Sequence, residues 1–136
     1  MDAPIGRSPA DRKKMAVEPK NGKRAVTHYK VLSHLNHQFN HIECQLETGR
    51  THQIRVHMAS IGCNLVGDQL YVKSKKTSLK GLDGETKAFV NAFPRQALHA
   101  ASLGFVHPRS GEKLQFSCGF PDDYLLLLDK LRGSRI

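Results

Sequence analysis

The segment Leu46-Glu47-Thr48-Gly49-Arg50-Thr51-His52-Gln53-Ile54-Arg55-Val56-His57-Met58, followed by Leu65-Val66-Gly67-Asp68-Gln69-Leu70-Tyr71, carries the densest structural signals in the chain. Just before it, Ile42, Cys44 and Leu46 alternate with Glu43, Gln45 and Glu47. A period of two means a strand with one apolar face. Gly49 ends that strand, Thr51 is a suitable N-cap and Gly62 a suitable stop, so a helix is expected over 52–61. Ile54, Met58 and Ile61 fall at i, i+4 and i+7 and form one apolar stripe. Arg55 lies about 100° round the helix from Ile54, so the helix can bury one side and present Arg55 on another.

Towards the N-terminus, Val26, Thr27, Tyr29 and Val31 predict a strand over 25–32, joined to the first through a polar turn near Asn36–Asn40. Residues 1–24, with Pro4, Pro9 and Pro19, read as a basic extended arm containing a short strand at Met15-Ala16-Val17. Beyond the helix, 72–84 is a Lys-, Ser- and Gly-rich loop. A short helix over 85–93 would turn Phe89, Ala92 and Phe93 inward. Residues 98–107 read as extended, Pro108-Arg109-Ser110-Gly111 as a turn, and 113–117 as a strand with Leu114 and Phe116 on one side. Pro121-Asp122-Asp123 opens a last helix, docked by Leu125, Leu128 and Leu131. The expectation is a single α+β unit over 1–136, with a mostly antiparallel sheet and a few short helices.

Twenty-one Lys and Arg stand against twelve Asp and Glu, for a formal charge of +9. The cations cluster in 1–24 and again at Lys73, Lys75, Lys76 and Lys80, which favours a polyanionic partner such as RNA. The longest aliphatic run, Leu125–Leu128, is far short of the ~20 residues of a membrane span, and the N-terminus has no apolar signal core. The three cysteines, Cys44, Cys63 and Cys118, form no CxxC. A reduced, cytoplasmic setting is therefore expected, without metal: His52 and His57 are five apart and do not share a helix face.

The string from Leu46 to His57, with Gly67-Asp68 and Tyr71, closely resembles the late motif of the RluA-like ribosomal large-subunit pseudouridine synthases, and most closely their RluD-like branch. Pro4-Ile5-Gly6-Arg7, Lys14-Met15-Ala16-Val17, Ala25-Val26-Thr27-His28-Tyr29, Arg95-Gln96-Ala97-Leu98-His99-Ala100 and His107-Pro108 with Gly111 extend the resemblance in order over nearly the whole chain. It implies an enzyme without cofactor or metal that isomerises uridine in large-subunit rRNA. In that family an aspartate attacks the nucleotide, the glycosidic bond breaks, and the uracil turns and rejoins through carbon. A base in a stem must first leave the stack.

The family's H-R-L-D-x-x-T-S-G motif, with its nucleophilic Asp, and the Tyr that follows it are not in this sequence. They are expected upstream, so the chain reads as the C-terminal part of a catalytic domain, inactive alone and needing that N-terminal half as a partner. The resemblance carries over Arg55 as the cation that pairs with that absent Asp, and Leu98 as a wall of the site. Arg50, Thr51, His52, Gln53 and His57, together with Lys13, Lys14, Lys75 and Lys76, are the expected RNA-binding residues. Asp68 and Tyr71 are expected to organise the turn after the helix. The alternative reading is a basic RNA-binding module without chemistry.

Overall fold

A computed structural model describes residues 1–36, 38–71 and 81–133. Among the described residues, six strands and three helices follow one another as β1 (Ile5–Arg7), β2 (Met15–Val17), β3 (Thr27–Leu35), β4 (Phe39–Leu46), α1 (Gln53–Ser60), α2 (Gly84–Ala92), β5 (Ser102–Val106), β6 (Lys113–Ser117) and α3 (Asp122–Gly133). This is an α+β architecture. Its strands form three separate antiparallel pairs, β1–β2, β3–β4 and β5–β6.

The N-terminal segment is folded back on itself. Ile5 pairs with Val17, and Arg7 with Met15. Ile5 sits in a core with Ala25, Val56, Ala59 and Tyr71, so the region read as an arm becomes a wall behind α1. In β3–β4, Tyr29 faces Cys44 and Val31 faces Ile42; a bulge at Leu32 then shifts the register so that Ser33 meets His41. A second core unites Leu35, Leu82, Val90, Phe93, Leu127, Leu128 and Leu131.

Four details of the helices differ from what the sequence predicts. α1 is preceded by His52 in the N-cap position, not Thr51, and no side chain caps it. Its buried side is Gln53, Val56, His57, Met58 and Ala59, while Ile61 is about half exposed. α3 docks through Leu127, Leu128 and Leu131, leaving Leu125 outside, and α2 turns Val90 inward in place of Ala92. The stop at Gly62 is as expected. Gly62 has φ +81°, its N–H donates to the Ala59 carbonyl and the Cys63 N–H to that of Met58, which closes the helix in a Schellman motif.

Among the described residues, no helix is long and apolar enough to cross a membrane.

Candidate functional site

The first turn of α1 packs against the start of β3 through polar groups. Thr27 and His57 are fully buried and Gln53 nearly so. Gln53 Nε2 donates to the Val26 carbonyl and to Thr27 Oγ1, both at 3.0 Å. Its Oε1 accepts from Thr48 Oγ1 at 2.7 Å and from the Arg50 N–H at 2.9 Å. His57 Nε2 lies 2.8 Å from the Ala3 carbonyl and Nδ1 lies 2.8 Å from Thr27 Oγ1. A carbonyl can only accept, so Nε2 carries the ring proton and Nδ1 accepts from the threonine hydroxyl. Every hydrogen-bonding atom of these two side chains is thus used within the chain. The sequence places both among the expected RNA-binding residues; the structure uses them in the buried polar seam that sets helix against strand.

On the neighbouring side of α1, Arg55 meets Asp68. Nε donates to Oδ2 at 2.9 Å and Nη2 to Oδ1 at 3.0 Å. The Arg55 side chain is 13% exposed and that of Asp68 1%. Asp68 also accepts the N–H groups of Leu70 (3.1 Å) and Tyr71 (3.3 Å). Burial alone would push its carboxyl up. The Arg55 hydrogen bond, the two backbone bonds and the Arg55 charge outweigh this, and hold it below the usual carboxylate range. The Asp68 hydrogen bond raises Arg55 against its own burial. The resemblance leaves Arg55 without an acid inside this chain; the structure gives it one, Asp68, on one edge. Its third nitrogen, Nη1, makes no hydrogen bond among the described residues.

The guanidinium also lies over the Tyr71 ring, 5.1 Å from its centroid. The Tyr71 hydroxyl accepts the Met15 N–H at 3.1 Å and lies 2.8 Å from His52 Nδ1. Burial, then the Arg55 charge, pushes the His52 imidazole below the ordinary histidine range, against the smaller opposing pull of Asp68.

The other expected residues scatter. Arg50 Nε donates to the Arg24 carbonyl at 2.9 Å, and Thr51 is exposed. Lys13 is exposed and Lys14 half-buried, both in the β1–β2 turn, where Arg7 donates to the Arg12 carbonyl at 3.0 Å. Lys75 and Lys76 lie outside the described residues. Leu98 is half-buried in a segment tied to the Asp68 loop: the Ala97 N–H donates to the Val66 carbonyl at 2.8 Å. Between them Gly67 has φ +78°, and a Cβ there would run into the Arg95 carbonyl. Arg95 grips Asp123 of α3 through Nε and Nη2, at 3.0 and 2.9 Å. The structure therefore gathers His52, Arg55, Asp68 and Tyr71 tightly, with the Leu98 segment joined to the same loop. The Asp68–Arg55 pair was absent from the sequence reading. Its signal was one acid inside Leu65-Val66-Gly67-Asp68-Gln69-Leu70-Tyr71, a stretch otherwise almost without charge. Among the described residues, no three His, Cys, Asp or Glu side chains cluster as metal ligands would.

A sequence profile described as RNA pseudouridylate synthase matches residues 1–60. The ribosomal large subunit pseudouridine synthase D of Zymomonas mobilis subsp. mobilis is 51% identical over 132 residues, spanning 96% of this chain and 39% of the relative. An uncharacterized RNA pseudouridine synthase, YlyB, of Bacillus subtilis is 47% identical, spanning 97% of this chain and 38% of the relative. The solved structure of human RNA Pseudouridylate Synthase Domain Containing 1 superposes with a TM-score of 0.64 at 26% identity, covering 88% of this chain and 47% of that one. The class that these likenesses share is that of the RNA pseudouridine synthases. The chain is similar to ribosomal large subunit pseudouridine synthases D over nearly its whole length, and it spans about two-fifths of the length of the curated relatives it matches.

Proposed function

We propose that this chain supplies the Arg55 side of a pseudouridine synthase active site acting on large-subunit ribosomal RNA in the cytoplasm, and that the nucleophilic aspartate comes from sequence outside these 136 residues. The observation that carries this reading is the asymmetry of Arg55. Asp68 fixes its Nε and Nη2 edge, which leaves Nη1 for a second carboxylate. A guanidinium held in this way is preorganised, so it can keep a nucleophilic carboxylate ionised and aimed without moving during the reaction. The net change is an isomerisation: the N1–C1′ bond breaks, a C5–C1′ bond forms, and the proton on C5 is replaced by one on N1. Leu98 would wall the base, while Arg50, Thr51 and His52, with Lys13, Lys14, Lys75 and Lys76, would meet the RNA.

Two apolar faces support a covering segment. Tyr29, Val31 and Leu46 share one exposed face of β3–β4, and Leu103, Phe105 and Phe116 share one of β5–β6. A two-stranded pair is marginal by itself, and aromatic faces of this kind are ordinarily buried. The N-terminal part of such a catalytic domain is the proposed cover.

The test is a chimera in which this chain replaces the matching 132-residue stretch of the Zymomonas mobilis relative. Mass spectrometry of large-subunit rRNA should find pseudouridine with the chimera and none with the 136-residue chain alone. Conversion by the chain alone would place the nucleophile inside it. A folded chimera that binds RNA without converting it would favour the module without chemistry.

A further inference from the structure

We propose that His52 and Tyr71 are positioning residues whose shared hydrogen bond sets the direction of the Arg55 guanidinium. His52 is one of two non-glycine residues with positive φ, at φ 55° and ψ 26°, among the described residues. A left-handed histidine is uncommon, and such conformations persist where surrounding contacts enforce them. The contact here is with Tyr71: Nδ1 to hydroxyl at 2.8 Å, with the rings edge to face at 5.6 Å and 79°. The Tyr71 side chain then underlies Arg55.

Proton placement follows from burial. Tyr71 is 8% exposed, and its hydroxyl accepts from Met15. A buried hydroxyl proton without an acceptor is costly, and the acceptor within reach is His52 Nδ1. The tyrosine therefore donates to Nδ1, and His52 carries its proton on Nε2. The hydroxyl joins β2 to the residue before α1, and with its oxygen fixed the ring cannot swing. Asp68 grips one edge of the guanidinium and the ring covers one face, so the plane in which the Nη1 N–H groups point is held.

This inference rests on Arg55 being the cation of the site, but its measurement needs no RNA. Failure of pseudouridine formation and failure of this geometry are therefore separate results. The experiment is long-range 1H–15N NMR of the 136-residue chain at pH 7, with hydrogen exchange of the arginine Nε–H groups. The wild type should show His52 protonated on Nε2 alone. Tyr71→Phe keeps the ring and removes the hydroxyl; it should abolish that preference and speed exchange at Arg55 Nε–H about tenfold. Arg95, paired with Asp123, is the internal control and should not move. His52→Asn tolerates the left-handed backbone and loses the bond; it should also speed Arg55 exchange and not that of Arg95. A mixed or Nδ1-protonated wild-type His52 would overturn the proposal without any variant. So would unchanged Arg55 exchange in either variant with an otherwise native spectrum.

Discussion

Replacing Asp68 with Asn tests the ion pair at nearly constant shape. The carboxylate accepts four N–H groups, two from Arg55 and one each from Leu70 and Tyr71. Asn can keep its carbonyl at Oδ1, and with it both backbone bonds. Its NH2 then meets Arg55 Nε, donor against donor, and the guanidinium is left charged without its acid. Breaking one side of a buried pair costs roughly 3–5 kcal/mol. Arg55 keeps some exposure, so the lower end applies, about 3 kcal/mol. For a chain of this size that is a fall in Tm of roughly 10 °C. The control is Asp123→Asn, which breaks the equally bidentate but much more exposed pair with Arg95; its cost should be several times smaller. Urea titrations of the three proteins give both numbers. Equal, small losses for the two variants would show that burial does not distinguish these pairs, and the rigid-cation reasoning would fail.

Other outcomes follow from the same contacts. The depressed Asp68 carboxyl gives stability that is fully present above its unfolded value, ~3.9, and is lost as pH falls through the lower folded value. The gap in urea midpoint between wild type and Asp68→Asn should therefore hold from pH 7 to about 4.5 and narrow below it; a gap that widens in acid would reverse the sign. Gly67→Ala should cost several times more than Gly62→Ala. Both have positive φ, worth about 1 kcal/mol, but only Gly67 would drive a Cβ into backbone. Comparable losses by thermal melting would contradict that contact. RNA affinity should fall steeply with salt, and Lys13→Ala with Lys14→Ala should flatten the slope by roughly 0.7 per phosphate contact on single strands; a flat response in the wild type would remove the electrostatic argument.

The element order was legible because glycine, proline and period-two signals act locally. Gly62 ends α1, Pro108 to Gly111 turns β5 into β6, and Pro121 opens α3. The faces of α1 were not legible. Hydropathy marks Ile54 and Ile61 as inward, yet the helix buries Gln53 and His57, whose polar atoms are matched by Thr27, Val26 and Ala3. The matching of Gln53 Nε2 and of both His57 nitrogens depends on residues about 26 to 54 positions away, which no local pattern reveals. Arg55 stood out by its motif, but its partner depends on the loop path from Cys63 to Asp68 and on Gly67 resting against Arg95. In α3, Leu125 and Leu127 differ by 200° on the helix, and only the core formed with Leu35, Leu82, Val90 and Phe93 selects between them.

The most direct measurement is pseudouridine yield from the Zymomonas mobilis chimera carrying Arg55→Met, set beside the same chimera with Arg55 and one with Lys13→Ala. The account predicts a loss of at least about a hundredfold for Arg55→Met, at unchanged RNA affinity, against a minor loss for Lys13→Ala. Equal yields for Arg55→Met and Lys13→Ala would contradict it and reduce Arg55 to one cation among many.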